Sequence, residues 1–208
     1  GEAESLLGLG FVASLRGDLA EAERLQRESL AIKREIGDRT GGAHALVKLG
    51  GIAYERGDLA GAGRLTRESL AINRDIGDRT GEANSLFSLG RIEERRGDLA
   101  EAERLYRGSL AIQREIGDRG GEAYSLIGLG SITIRGDLAE AERLQRESLV
   151  ILREIGDRRG EADSLINLGI IASDNGNMDE SHRCYTEAVR IQGEIGIPIQ
   201  QWFIDNGY

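Results

Sequence analysis

The chain has 208 residues, with 36 acidic and 27 basic side chains mixed along its length for a net charge of −9. That balance lacks the basic stripe with which a protein tracks nucleic acid, and no apolar run approaches the roughly 18 residues needed to cross a bilayer. The single cysteine, Cys184, excludes an intrachain disulfide framework and points to a reducing, cytoplasmic setting.

One block recurs down the chain, at residues 1–40, 41–80, 81–120, 121–159 and 160–196. Each copy reads G-E-A-x-S-L-x-x-L-G, a variable stretch, R-G-D-L-A-E-A-E-R-L, then S-L-A-I-x-R-E-I-G-D-R, with local departures. A fixed period built from one supersecondary unit predicts a repeat array whose work is done on a surface.

In the first block Ala3, Leu6, Leu9, Gly10 and Ala13 fall three and four residues apart, which predicts a helix over about residues 3–15 with one buried face. Gly10 and Ala13 are small enough to let a neighbouring helix approach. Leu19, Ala22, Leu25, Ser29, Leu30 and Ile32 continue the helical period towards Ile36, so each block is a pair of antiparallel helices.

Arg16-Gly17-Asp18 joins the pair, the glycine suited to a left-handed helix end and the aspartate to a cap. Asp18 with Glu21 reads as a capping box, repeated at Asp98/Glu101, Asp137/Glu140 and Asn177/Glu180. Block two has Gly61 in place of the glutamate, so its second helix is expected to fray more readily. Glu23/Arg27 and Arg34/Asp38 read as solvated i,i+4 pairs, and Asp38-Arg39-Thr40 as the loop into the next block.

The pattern Leu9-Gly10, Gly17-Asp18, Ala22, repeated through Leu49-Gly50, Gly57-Asp58, Ala62 and on to Leu168-Gly169, resembles the tetratricopeptide repeat family. The longer block with its I-G-D-R loop resembles the subclass found in LGN/Pins-type scaffolds, and is similar to the arrays of bacterial signalling regulators and kinesin light chains. The resemblance implies an all-α, right-handed superhelical solenoid of five stacked helix pairs, whose first helices line a concave groove. It also implies a non-enzymatic scaffold that binds a protein or peptide partner, or else the sensor arm of a larger signalling protein with an ATPase or transcription-regulating domain.

Blocks one and three differ at 12 of 40 positions, and eight of these lie in the first helix. On the groove that the resemblance implies, Leu7, Val47, Phe87, Ile127 and Ile166 form an apolar row. That row reads either as packing between neighbouring first helices or as an apolar channel, in which Phe87, Tyr54 and Tyr124 are aromatic anchors, Phe11 lies alongside, and His44, Lys48, Asn84, Arg91 and Asn167 supply polar orientation. Relatives that grip a ligand backbone use an Asn just before the Leu-Gly pair; only Asn167 matches, and Gly8, Lys48, Ser88 and Gly128 depart from it.

No residue pattern calls for catalysis, a cofactor or a metal. His44 and His182 lie more than three blocks apart, Cys184 takes the place of the core residues Leu25, Leu65, Leu105 and Leu144, and each R-G-D is an inter-helix turn. Block four is one residue short, a deletion expected near Thr133 and Ile134. The tail at 197–208 leaves the consensus, and Pro198, Ile199, Trp202 and Phe203 predict a short capping helix. Block one has no polar, atypical form, so further repeats ahead of Gly1, or self-association through that end or through the tail, are expected.

Overall fold

The helical periods close into ten α-helices among the described residues, which in this computed structural model are 1–198 and Phe203. They are α1 (Glu2–Leu15), α2 (Leu19–Glu35), α3 (Arg39–Glu55), α4 (Leu59–Ile76), α5 (Arg79–Arg96), α6 (Leu99–Ile116), α7 (Arg119–Thr133), α8 (Leu138–Ile155), α9 (Arg158–Asp174) and α10 (Met178–Glu194). Odd-numbered helices are the first of each block and even-numbered helices the second. Apart from Phe203, Ile197 and Pro198, the segment expected to cap the array lies outside the described residues.

The chain divides into two compact units, Gly1–Ile112 and one from Gln113 onward. In the first, α1 to α5 pack in chain order, α3 also meets α5, and α6 meets α5 through Tyr106 at Gly90 and Ser109 at Ala83. In the second, α7 to α10 do the same, and α7 meets α9. Stacking is what buries the Leu of each Leu-Gly pair. Leu9, on α1, is 56% exposed, whereas Leu49, Leu89 and Leu168, each with a preceding pair in its own unit, are 5% exposed or less.

The glycine of that pair leaves room for a side chain of the second helix of the same block. A Cβ on Gly10 would meet the Gln26 amide nitrogen at 2.7 Å, on Gly50 the Thr66 Oγ1 at 2.7 Å, and on Gly90 the ring of Tyr106 at 2.7 Å. Gln145 and Tyr185 fill the same place against Gly130 and Gly169. A serine ties the two helices together beside this contact. Ser29, Ser69, Ser109 and Ser148 are buried, and each donates its hydroxyl to a carbonyl of the partner helix, Ala3, Ala43, Ala83 or Ala123, at 2.8–2.9 Å.

Each second helix starts on the expected cap. Asp18 accepts from the Glu21 N–H at 3.0 Å and Asp98 from that of Glu101 at 3.1 Å. Asp58 accepts from the Gly61 N–H at 2.8 Å, so block two keeps the aspartate half of the cap without the glutamate. That bond is made by a backbone amide, which glycine also carries. Glu21, Glu101, Glu140 and Glu180 instead take the guanidinium three residues on, Arg24, Arg104, Arg143 or Arg183.

Asp38 is likewise a cap rather than the partner of Arg34. It accepts from the Gly41 N–H at 2.9 Å, so α3 begins at Arg39, and Arg34 reaches Glu68 at 2.5 Å. Glu23 and Arg27 pair as expected, at 2.5 Å.

The missing residue of block four is taken up where expected and also changes the turn. α7 stops at Thr133, and Gly136 lacks the positive φ of Gly17, Gly57 and Gly97. The Gly136 and Asp137 amides both donate to Thr133 O at 2.9 Å, and Asp137 still caps Glu140.

Cys184 is buried among Leu149, Leu165, Leu168 and Ile191, as its place in the repeat predicts. The acidic residues are not all surface decoration, however. Glu82, Glu122 and Glu161 are buried at 9%, 7% and 3% exposure, and each is gripped by two arginines. The E of G-E-A is thus a clamp between successive blocks.

Candidate functional site: the cleft between α3 and α5

α3 and α5 hold their variable residues side by side because each is fixed from behind, by its Leu-Gly contact and by the serine bonds to its own second helix. A cleft of about 490 Å³ lies between them. His44, Val47 and Lys48 line it from α3, and Asn84, Phe87 and Ser88 from α5. Val47 and Phe87 are half-buried, so each shows part of an apolar side chain to the cleft, while His44 and Asn84 stand exposed at its edge.

Phe87 is held by Tyr106, whose ring centroid lies 5.6 Å from its own at a tilt of 48°. Tyr106 in turn donates its hydroxyl to Glu94 Oε2 at 2.6 Å. Burial, with Glu94 beside it, pushes that phenol far above its ordinary range, so it remains a donor. A ring pinned at both ends gives Phe87 a rigid backing, the property wanted of an anchor.

The floor is polar and comes from α4. Asn73 Nδ2 reaches Ser69 Oγ at 3.3 Å and Ser85 Oγ at 3.2 Å, and Asn73 and Ser69 both line the cleft. Desolvation by the cleft walls, followed by the fields of Lys48 and Lys33, holds the His44 imidazole below its ordinary range. Lys48 supplies positive charge beside it.

A smaller hollow of about 70 Å³ continues along the same two helices, lined by Gly51, Tyr54, Ser88 and Arg91. Tyr54 is engaged there already. The Arg91 and Arg95 guanidiniums each lie 4.8 Å from its ring centroid, and Arg95 also donates to Tyr54 O at 2.8 Å. Tyr54 therefore presents a ring covered by cations.

Seven of the expected residues, His44, Val47, Lys48, Tyr54, Asn84, Phe87 and Arg91, thus line these two hollows of the first unit. On α1, Leu7 is half-buried, and Phe11 is 51% exposed with Lys48 Nζ 5.9 Å from its ring centre. In the second unit Tyr124, Ile127, Ile166 and Asn167 are half-buried on α7 and α9. Tyr124 donates its hydroxyl to Asp157 Oδ2 at 2.9 Å; burial and that carboxylate push the phenol up to about 12. Ile166 packs on the core around Leu165 and Ile191.

Sequence reasoning missed Asn73 and Tyr106, which sit on second helices otherwise taken as constant. A signal was present. The position of Asn73 reads Lys33, Asn73, Gln113, Leu152 and Gln192 from block to block, and that of Tyr106 reads Gln26, Thr66, Tyr106, Gln145 and Tyr185. Variation at one site of a constant helix marks a residue that faces something variable.

No helix of the described residues is long and apolar enough to cross a membrane. No curated protein matches the chain in sequence. Among solved structures it is similar to BtubC (BKLC) from P. vanneervenii, with 20% identity over 95% of this chain and 82% of that one, at a TM-score of 0.78. It is similar to a Rap protein complexed with Competence and Sporulation Factor, at 15% identity, 93% and 54% coverage and a TM-score of 0.83. It is also similar to a signal transduction ATPase with a tetratricopeptide repeat sensor from Pyrococcus horikoshii, at 19% identity, 94% and 31% coverage and a TM-score of 0.75. At these identities the likeness is one of fold, an all-α stack of helix pairs. The tetratricopeptide repeat profile matches residues 1–75, 43–115 and 122–194, nearly the whole sequence, and the chain belongs to the tetratricopeptide repeat family.

Proposed function

We propose that the protein is a non-enzymatic interaction scaffold that takes an extended peptide or a helix of a protein partner between α3 and α5. The observation that carries this reading is the cleft itself, in which half-buried Val47 and Phe87 lie among His44, Lys48 and Asn84. An apolar strip with polar groups along its edges suits a partner that buries one or two side chains and fixes its direction by hydrogen bonds. The Rap protein complexed with Competence and Sporulation Factor shares the fold and lends support by analogy.

The test is a random-peptide display selection on the full chain, followed by affinity measurements on Val47→Asp and Phe87→Asp. Both faces are half-exposed, so helicity should be kept while selected peptides lose about tenfold or more in affinity. Unchanged affinity in both variants would remove the cleft from consideration.

A second reading, a sensor segment within a larger signalling protein, is favoured by one relation. The chain spans 31% of the signal transduction ATPase it resembles. Finding an ATPase or DNA-binding domain in the same polypeptide would support it, and the cleft would then be the sensing site.

A further inference from the structure

Blocks three, four and five open with G-E-A, whereas block two opens with G-G-A, placing Gly42 where its siblings have a glutamate. In those siblings the carboxylate has a fixed pair of partners. Glu82 receives Arg74 Nε at 2.9 Å and Arg79 Nη1 at 2.5 Å, and Glu122 receives Arg114 Nε at 2.9 Å and Arg119 Nη1 at 2.7 Å. Glu161 receives Arg153 Nε at 2.8 Å together with Arg158. One arginine comes from the end of the preceding second helix and the other from the start of the block's own first helix.

Arg34 and Arg39 are the same two positions before block two. They keep their outward partners, Glu68 at 2.5 Å and Asp75 at 2.6 Å, as Arg114 and Arg119 keep Glu147 at 2.5 Å and Glu154 at 2.9 Å. The inward carboxylate is what Gly42 does not supply. A hollow of about 160 Å³ lies there, lined by Arg34, Arg39 and Gly42, with Leu30, Leu46 and Ile72 as apolar wall. None of its lining residues belongs to the α3/α5 cleft.

The other charges at the hollow are already matched. Lys33 is buried and bound to Glu4 and Asp38, and Asp38 also caps the Gly41 amide. A water takes about 30 Å³, so the space holds a carboxylate with a few methylenes. Guanidinium pairs select carboxylates by their planar, forked geometry, and the apolar wall suits an aliphatic stem.

We propose that this hollow is a carboxylate-binding site, in which a ligand supplies through a short aliphatic stem the group that Glu82, Glu122 and Glu161 supply elsewhere. The ligand chemistry is that of a glutamate side chain or of a peptide C-terminus. The proposal stands apart from the cleft reading, since the two sites share no residue.

The experiment is an NMR titration of the isotope-labelled full chain with three probes: N-acetyl-Gly-Glu-Gly-amide, its Gln counterpart, and N-acetyl-Gly-Gly-Ala with a free C-terminus. One of the carboxylate probes should shift the amides around Gly37 and Gly42 along a saturable curve, and which one does so identifies the source. The Gln peptide should give no saturable shift. Gly42→Glu should fill the site from within: a Cβ at Gly42 meets only Leu30 Cδ1, at 3.9 Å, so the side chain has room. That variant should lose binding by about tenfold or more and melt higher than the parent.

Should Gly42→Glu fail to fold, the exposed pair Arg34→Gln/Arg39→Gln reads the same loss. Absence of a saturable shift with both carboxylates, equal binding of the Gln peptide, or undiminished binding by Arg34→Gln/Arg39→Gln would overturn the proposal. Inorganic phosphate binding as tightly as the carboxylates would also overturn it, since the hollow would then be reading charge alone.

Discussion

Tyr106 lies in the space that Gly90 leaves open: a Cβ on Gly90 would stand 2.7 Å from two carbons of the Tyr106 ring. The same ring supports Phe87 at the cleft, so a single glycine on α5 sets both the approach of α6 and the backing of a candidate binding residue.

Gly90→Ala should therefore destabilise the protein. Overpacking against a rigid, buried ring costs about 1–3 kcal/mol, and the better helix propensity of alanine returns about 1 kcal/mol of it, for a net loss of up to about 2 kcal/mol. Gly10→Ala should be nearly neutral, because its nearest neighbour is the far end of the flexible Gln26 side chain. Urea denaturation of the two variants measures the difference. Equal stabilities would show that the ring yields as easily as the amide.

The clamp on Glu122 predicts a pH dependence. Burial pushes its carboxyl up, but the hydrogen bonds and charges of Arg114 and Arg119 outweigh that, so it titrates below the usual carboxylate range. Glu82 behaves alike between Arg74 and Arg79. A carboxyl with a lower folded than unfolded pKa leaves the unfolded chain binding more protons. Its contribution is present above about pH 4.5 and is lost as pH falls through the depressed folded value. Glu122→Gln should lower Tm at neutral pH by about 2–4 °C, the effect of about 1 kcal/mol in a chain of this size, and should flatten the decline of Tm towards acid. Differential scanning calorimetry between pH 3 and 7, read as an approximate range of conditions, supplies both results.

Cys184 should be inert in the native state. Burial, with Glu180 nearby, pushes its thiol up to about 11, so little thiolate exists at neutral pH, and the sulfur is buried. Labelling by a thiol reagent at pH 7.5, about one unit below the free-thiol value, should proceed only at the rate of opening and become rapid in urea. Fast labelling of native protein would place Cys184 at the surface.

Much of the candidate site could be read from residues that differ between blocks one and three. His44, Val47, Lys48, Asn84 and Phe87 were found because they vary on the first helices, and they meet in one cleft. Asn73 was passed over because its helix looked constant, and nothing in the block of Tyr54 announces that Arg91 and Arg95 cover its ring. Glu82 and Glu122 could not be recognised as clamp residues for a related reason. Their partners stand eight residues back, across an inter-helix turn, where helical spacing no longer says who faces whom.

By itself the sequence determined the repeat period, the helix pairs, the aspartate caps and the burial of Cys184, because these depend on interactions within a turn or two of helix or on one residue's place in the block. Only the tertiary structure decided that Gly90 makes room for Tyr106, that two arginines close on each buried glutamate, and that Gly42 leaves such a pair facing a hollow. Those relations arise between helices, where the outcome rests on which side chain a neighbour covers. Leu9 and Leu49 hold the same place in the repeat, yet one is 56% exposed and the other 4%, since packing against a preceding pair is a property of the stack and not of the residue.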